Sequence, residues 1–234
     1  MTLSSVFIFL FGLVAGSFLN AVIWRMYFKV AVWHGRSMCP ACRHSLSWQD
    51  LIPIISFFLL RARCRYCAAP ISWQYPLVEL VTAILFVAVF LYLQSSLLQL
   101  AYFWFLAASL IVIFVYDLKH FIIPDQVVYP AIALTFLYLI GNWNFEPLIN
   151  YLLAGVGAAA FFFAIHALSK GAWMGFGDVK LALLMGLALG FPRVIVAFFF
   201  AFVVGAAFGL FLVFFRKKQW KSEVPFAPFL VLGT

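Results

Sequence analysis

The side chains in this 234-residue chain that could do chemistry are few: seven acids and four cysteines. The cysteines fall as Cys39-Pro40-Ala41-Cys42 and Cys64-Arg65-Tyr66-Cys67, two Cys-x-x-Cys pairs separated by 21 residues. Each pair can put two thiolates on one tight turn, and two such turns supply the four tetrahedral ligands of a structural zinc ion. Two disulfides are the competing arrangement, and redox compartment decides between them. A tetrathiolate site has no open coordination position, so such a metal holds structure and does no chemistry.

The acids are Asp50, Glu79, Asp117, Asp125, Glu146, Asp178 and Glu223. Asp117 directly follows an apolar run, and Asp178 opens another within Gly175-Phe176-Gly177-Asp178. Two carboxylates meeting at one depth can share a proton, one acting as general base on a water while the other polarises a carbonyl. The plainer readings are an N-cap for Asp178 and, for Asp117, a snorkelling acid paired with Lys119. Gly175 and Gly177 permit positive φ or close approach of another chain. Helix position divides the pair: a helix N-terminus favours the carboxylate form of Asp178, and a C-terminus favours the acid form of Asp117. Asp125 follows Pro124 and reads first as a helix cap. Glu146 reads as a solvated loop acid, and Asp50 and Glu79 either line a site mouth or pair with nearby arginines. His34, His44, His120 and His166 are not spaced as ligands and read as interfacial or packed.

Composition dictates what must position these groups. The chain is 67% hydrophobic and 9% charged, against roughly 45–50% apolar and about 25% charged in soluble domains. That excludes a soluble enzyme and predicts an all-α polytopic membrane protein, because a spanning helix satisfies its own backbone hydrogen bonds. Apolar runs lie at 3–23, 77–93, 97–116, 126–141, 148–168, 179–191 and 194–215, and Pro225 opens a further one, giving seven to eight transmembrane helices. The organisation predicted is a first helix at 1–23, a four-cysteine insert at 24–75 and a membrane core at 76–234. The run at 51–60 is too short to span and packs on the insert or the interface. The first run lacks a basic n-region and a small-residue cleavage site, so it reads as a retained helix. No internal repeat is evident.

Lysine and arginine counts orient the chain, because cationic loops stay cytoplasmic. With seven alternating spans, 14 of the 15 cations fall on one side and Arg193 alone on the other. The N-terminus then faces outward and the insert is cytoplasmic, a reducing compartment that favours zinc over disulfides. The net charge of +8 reports this loop bias; no motif for nucleic-acid binding accompanies it.

Several strings together resemble the prepilin peptidases of type IV pilus, type II secretion and DNA-uptake systems. They are Gly16-Ser17-Phe18-Leu19-Asn20 with Trp24-Arg25; the two cysteine pairs; Trp48-Gln49-Asp50-Leu51-Ile52-Pro53; Tyr75-Pro76-Leu77-Val78-Glu79; Asp117 through Ile123-Pro124-Asp125; Gly175-Phe176-Gly177-Asp178-Val179-Lys180; and Pro225-Phe226-Ala227-Pro228-Phe229. They keep the family's order over nearly the whole chain. The resemblance implies an aspartyl endopeptidase of the bacterial inner membrane with Asp117 and Asp178 as its catalytic pair and Gly175, Gly177, Lys180 and Asp125 in support. It implies cleavage on the cytoplasmic side, after the glycine ending the short basic leader of a prepilin or pseudopilin. Members with this cysteine insert typically also methylate the new N-terminal amine, usually of phenylalanine, with S-adenosylmethionine. Two departures stand out. Ala227 replaces the family's usual glycine, and the last apolar run has about ten residues before Thr234, where members usually continue a full helix. The alternatives are a presenilin-like intramembrane protease, which has no use for the cysteine insert, and a transporter or assembly scaffold using buried acids. Oligomeric state leaves no mark in the sequence.

Overall fold

The structure, a computed structural model, describes residues 3–31, 35–93, 96–141, 145–216 and 225–234. His34, Lys217, Lys218, Lys221 and Glu223 lie outside these, as do the side chains of Glu146 and Arg216. The described chain is helical, without a strand of more than an isolated bridge. It divides into two compact units, Met1–Val112 and Ile113–Thr234.

In the first unit, α1 (Leu3–Tyr27) packs along α3 (Gln74–Leu93). Contact is close because α1 presents glycine where the two helices meet. A Cβ at Gly12 would come within 2.5 Å of the Ala83 Cα, and one at Gly16 within 2.6 Å of the Glu79 Cα. This is the small-residue seam by which apolar helices approach in lipid, where dispersion replaces the hydrophobic drive. The start of α4 (Leu97–His120) joins α3 through Trp104, whose ring stacks on Phe86 at 5.0 Å and whose indole N–H donates to the Phe86 carbonyl at 3.0 Å. Between α1 and α3 lies the insert, containing a 3₁₀ turn at Trp48–Leu51 and the short α2 (Ile55–Leu59).

The second unit holds the end of α4, then α5 (Asp125–Gly141), α6 (Phe145–Leu168), α7 (Phe176–Leu189), α8 (Arg193–Arg216) and α9 (Ala227–Gly233). Its central element is α7, with Val179, Leu181, Ala182, Leu184, Met185, Gly186 and Leu187 all buried. A Cβ on Gly186 would meet the Gly155 Cα at 2.5 Å, so α6 and α7 touch backbone to backbone. Gly155 serves close packing there, while Gly157 meets nothing within 4 Å. Phe162 of α6 is fully buried against Phe198, Phe202 and Phe226.

Every apolar run becomes a helix, but the expected seven to eight spans are not all of spanning length. Among the described residues five helices are long and apolar enough to cross a membrane: α1, α3, α4, α6 and α8. The 17 residues of α5 and the 14 of α7 fall short, since at 1.5 Å per residue about 20 are needed. Gly190 stops α7 at a φ of +69°.

Candidate active site and metal centre

Two local breaks in helical structure build the carboxylate site. Helix α4 carries Asp117 inside its last turn and ends at His120, and Phe121 reverses the chain at a φ of +56°, its N–H returning to the Asp117 carbonyl at 2.9 Å. Ile123 and Pro124 are then buried, and Asp125 opens α5. On the other segment, His166 contacts the Met174 carbonyl at 2.8 Å, steadying the loop ahead of Gly175, the N-cap of α7. Asp178 is therefore the third residue of α7 and not its N-cap. Its carboxylate reaches back to the Gly175 backbone N–H, the acid half of a capping box.

The two segments meet at Gly177. A Cβ there would lie 3.1 Å from the Ile123 Cβ, so this glycine serves close approach. Neither Gly175 nor Gly177 takes a positive φ. The junction brings Asp178 within electrostatic reach of Asp117. Asp117 is 5% exposed, and its carboxylate accepts a hydrogen bond from the Ala227 backbone N–H at the start of α9. Ala227 is fully buried, so the position that departs from the family pattern is one that touches Asp117.

Lys180, half a turn beyond Asp178, pairs with Asp125, and its ammonium lies 5.0 Å from the Tyr129 ring centroid and 5.2 Å from that of Phe176. An ion pair flanked by two aromatic faces ties α5 to α7 at the end that carries the carboxylates. Tyr129 lacked any mark in the sequence, because a ring in an apolar helix looks like core, and Phe176 stood out only as part of the Gly175–Lys180 string.

In the insert, the Sγ atoms of Cys39, Cys42, Cys64 and Cys67 all lie within 4.8 Å of one another. Cys39 and Cys67 are 3.9 Å apart, close to the roughly 3.8 Å edge of a tetrahedron with 2.3 Å metal–sulfur bonds. All four are free thiols. The Ala69 backbone draws the Cys67 thiol down, yet desolvation and hydrogen bonds from the other three sulfurs push it up to about 12. Thiols crowded in this way ionise together only around a cation.

The two cysteine turns are copies of each other. Arg43 N–H donates to the Cys39 carbonyl and Ala68 N–H to the Cys64 carbonyl, each at 2.9 Å. Arg43 and Ala68 share a φ of +57°, and the bridges Met38 to Ser45 and Arg63 to Pro70 close both turns. Beyond the cysteines this repeat is in the backbone and not in residue types, which is why it was invisible in the sequence. Asp50 joins the turns' surroundings: its carboxylate accepts bonds from the Ser47 hydroxyl at 2.8 Å, Arg65 Nε at 2.7 Å and the Tyr66 hydroxyl at 3.2 Å. Asp50 thus pairs with an insert arginine, as one of its two readings had it. Glu79 instead accepts the Ile54 N–H at 2.8 Å.

These features define a helical membrane protein with a carboxylate pair, Asp117 buried and Asp178 half-buried, and a four-thiol centre. The chain belongs to the type IV leader peptidase family: the family model "Bacterial Peptidase A24 N-terminal domain" matches residues 10–93, and "Type IV leader peptidase family" matches residues 104–210. It is similar to the prepilin leader peptidase/N-methyltransferase of Bacillus subtilis (strain 168), 34% identical over 97% of this chain and 90% of that protein. Proteins of the same name from Aeromonas hydrophila and Aeromonas salmonicida (strain A449) are 33% and 32% identical, each over 97% of this chain and 87% of theirs. No solved structure matches. The resemblance carried by the sequence motifs is thereby borne out, and the chain is an enzyme of a bacterial membrane peptidase family.

Proposed function

We propose that this chain removes the leader from prepilins or pseudopilins with Asp117 and Asp178 as its catalytic pair. The observation that carries the reading is the Ile123–Gly177 junction, which sets the two carboxylates within electrostatic reach in a poorly solvated place. There they share one proton. The ionised member takes a proton from water as it attacks the scissile carbonyl, and the protonated member donates to the carbonyl oxygen. Ala227 N–H steadies the Asp117 carboxylate and Gly175 N–H that of Asp178.

The membrane layout follows from charge. Helices α5 and α7 cross as short helices inside the protein, because only that alternation puts 14 of the 15 cations on the cytoplasmic side. The N-terminus is then periplasmic, and the insert and both aspartates face the cytoplasm of the inner membrane. The functional divisions are the first helix at 1–23, the insert at 24–75 and the peptidase core at 76–234. Cys39, Cys42, Cys64 and Cys67 hold a structural zinc, which their sulfur spacing fits. The names of the relatives support a second activity, N-methylation of the new N-terminus. S-adenosylmethionine, when bound, supplies the methyl group. Two buried polar atoms of the first unit, Trp24 Nε1 and Gln74 Oε1, have no hydrogen-bond partner among the described residues.

The test is leader removal from a coexpressed prepilin in membranes carrying wild type, Asp117→Asn or Asp178→Asn at matched abundance. Loss of cleavage by about 10²-fold or more in both variants is expected for general acid–base groups. Cleavage by either variant at the wild-type rate removes the aspartyl assignment.

A further inference from the structure

The carboxylate of Glu79 has no part in the hydrolytic pair, yet the residue is only 6% exposed. The donors that meet it are neutral: the Ile54 N–H at 2.8 Å and the Ser17 hydroxyl. Burial among neutral donors disfavours a carboxylate anion, so a cation arriving beside it would be held strongly. Three stretches of sequence that the aspartate pair does not use converge on this place: residues 16–20, the turn at 52–54, and 74–79. Asn20, 2% exposed, donates to the carbonyls of Gly16 and Tyr75 and accepts from Gln74 Nε2 at 3.0 Å. Among the described residues Gln74 Oε1 is buried without a partner, as is Nε1 of Trp24, one helical turn beyond Asn20 on the same face of α1. Ile54 itself is held at a φ of +61°, a genuine outlier for a β-branched residue. Backbone strain of this kind persists where the surroundings enforce it, and it clusters at sites.

The unfilled hydrogen-bonding capacity identifies the ligand class. A carboxylate and a lone amide oxygen accept from an N–H-bearing cation; S-adenosylmethionine also carries an α-ammonium, but the carboxylate beside it would repel Glu79, and a divalent metal needs more oxygen ligands. A lone indole N–H donates to a carbonyl. The free end of a polypeptide presents both partners together, an α-ammonium and the carbonyl of its first residue. We propose that the Ser17–Asn20–Gln74–Glu79 cluster is the amine site of the methyl-transfer reaction, an inference that rests on the methylation reading above. Glu79 binds the α-ammonium of a newly exposed N-terminus and takes one proton from it. The nitrogen lone pair then forms the N–C bond to the methyl group of a sulfonium donor. The C–S bond breaks with its electron pair going to sulfur, and the product is a secondary ammonium and a neutral thioether. Glu79 passes its proton to water.

The same polar cluster would also be found if its only task were to join α1 to α3. Glu79→Gln separates the two, since the amide oxygen still accepts from Ile54 N–H while the charge is gone. The full-length protein in lipid nanodiscs is titrated with a phenylalanine-initiated hexapeptide bearing a free α-amine and with its Nα-acetyl twin. Wild type is expected to bind the free amine at least 10-fold more tightly, Glu79→Gln to lose that preference, Glu79→Asp to keep part of it, and Trp24→Phe to weaken both peptides. Mass spectrometry of a coexpressed pilin should show the N-terminus cut but unmethylated in Glu79→Gln, with cleavage within about 2-fold of wild type; that cleavage also reports that the variant is folded. A wild type that cuts and never methylates in the presence of donor overturns the methylation reading and this inference with it. A methylating wild type whose Glu79→Gln variant methylates equally and keeps its amine preference overturns the inference alone.

Discussion

Gly177 lies so close to Ile123 that a single added methyl group would approach the Ile123 Cβ to 3.1 Å. The contact joins the two short segments that carry Asp117 and Asp178, each at the end of a helix where the chain changes course. Positions of catalytic groups must hold to within about half an ångström to be productive. Gly177→Ala is therefore expected to lower leader cleavage by roughly 10-fold or more through displacement of α7 from Ile123. The shortened partner Ile123→Val should restore part of the loss in the double variant, as measured by cleavage at matched abundance.

The pairing of Lys180 with Asp125 makes a separate claim. Replacing Lys180 by Met keeps the chain length between Tyr129 and Phe176 and removes the charge. A few-fold loss of cleavage is expected, on the order of 1 kcal/mol for an ion pair flanked by rings. Because the two residues act as one link, Lys180→Met, Asp125→Asn and the double variant should fall to similar levels. Losses that add in the double variant would show that the residues act independently.

Packing of α6 on α7 gives a prediction for stability. Gly186→Ala would set a Cβ 2.5 Å from both the Ala154 carbonyl oxygen and the Gly155 Cα, and neither backbone group can swing aside. A loss of about 1–3 kcal/mol is expected from overpacking. Gly157→Ala, whose Cβ meets nothing within 4 Å, is the matched control and should be near neutral. Thermal unfolding in detergent, followed by tryptophan fluorescence, reads both.

For the four-thiol centre, Cys39→Ser or Cys64→Ser should release zinc from the purified protein, measured by elemental analysis, and lower its abundance. Methylation should suffer more than cleavage, with the aspartate pair still assembled. A metal-free variant lacking all four cysteines that cleaves and methylates fully would remove the structural role.

Asp50 links the insert to pH. Burial raises its pKa, but hydrogen bonds from the Ser47 side chain, Arg65, the Ser47 backbone and Tyr66 together outweigh this, and the carboxyl ends below its ordinary value of 3.8. A folded-state pKa below the unfolded one contributes stability that is complete above the unfolded value and is lost as pH falls through the folded one. Hydrogen exchange of the insert, corrected for intrinsic rates, should therefore be faster in Asp50→Asn than in wild type at pH 7. The gap should close as pH drops below the ordinary aspartate range. A gap that persists unchanged at pH 2 would mean that Asp50 acts through shape and not charge.

Most of the architecture was legible in residue order alone. Continuous apolar runs leave a backbone in lipid one way to satisfy its hydrogen bonds, so helices α1 to α9 begin and end within a few residues of the expected limits. The cysteine spacing likewise allowed a four-thiol cluster, since a Cys-x-x-Cys turn brings its own sulfurs together. What depends on contacts between distant segments was not legible. No periodicity shows that Asp178 caps from the third position or that Ala227 donates to Asp117. The role of Gly177 depends on Ile123, 54 residues away, and that of Glu79 on the backbone of Ile54. Local sequence sets which groups exist and what each helix can bury, while close approach of backbones is decided by which surfaces meet, and only tertiary packing settles that.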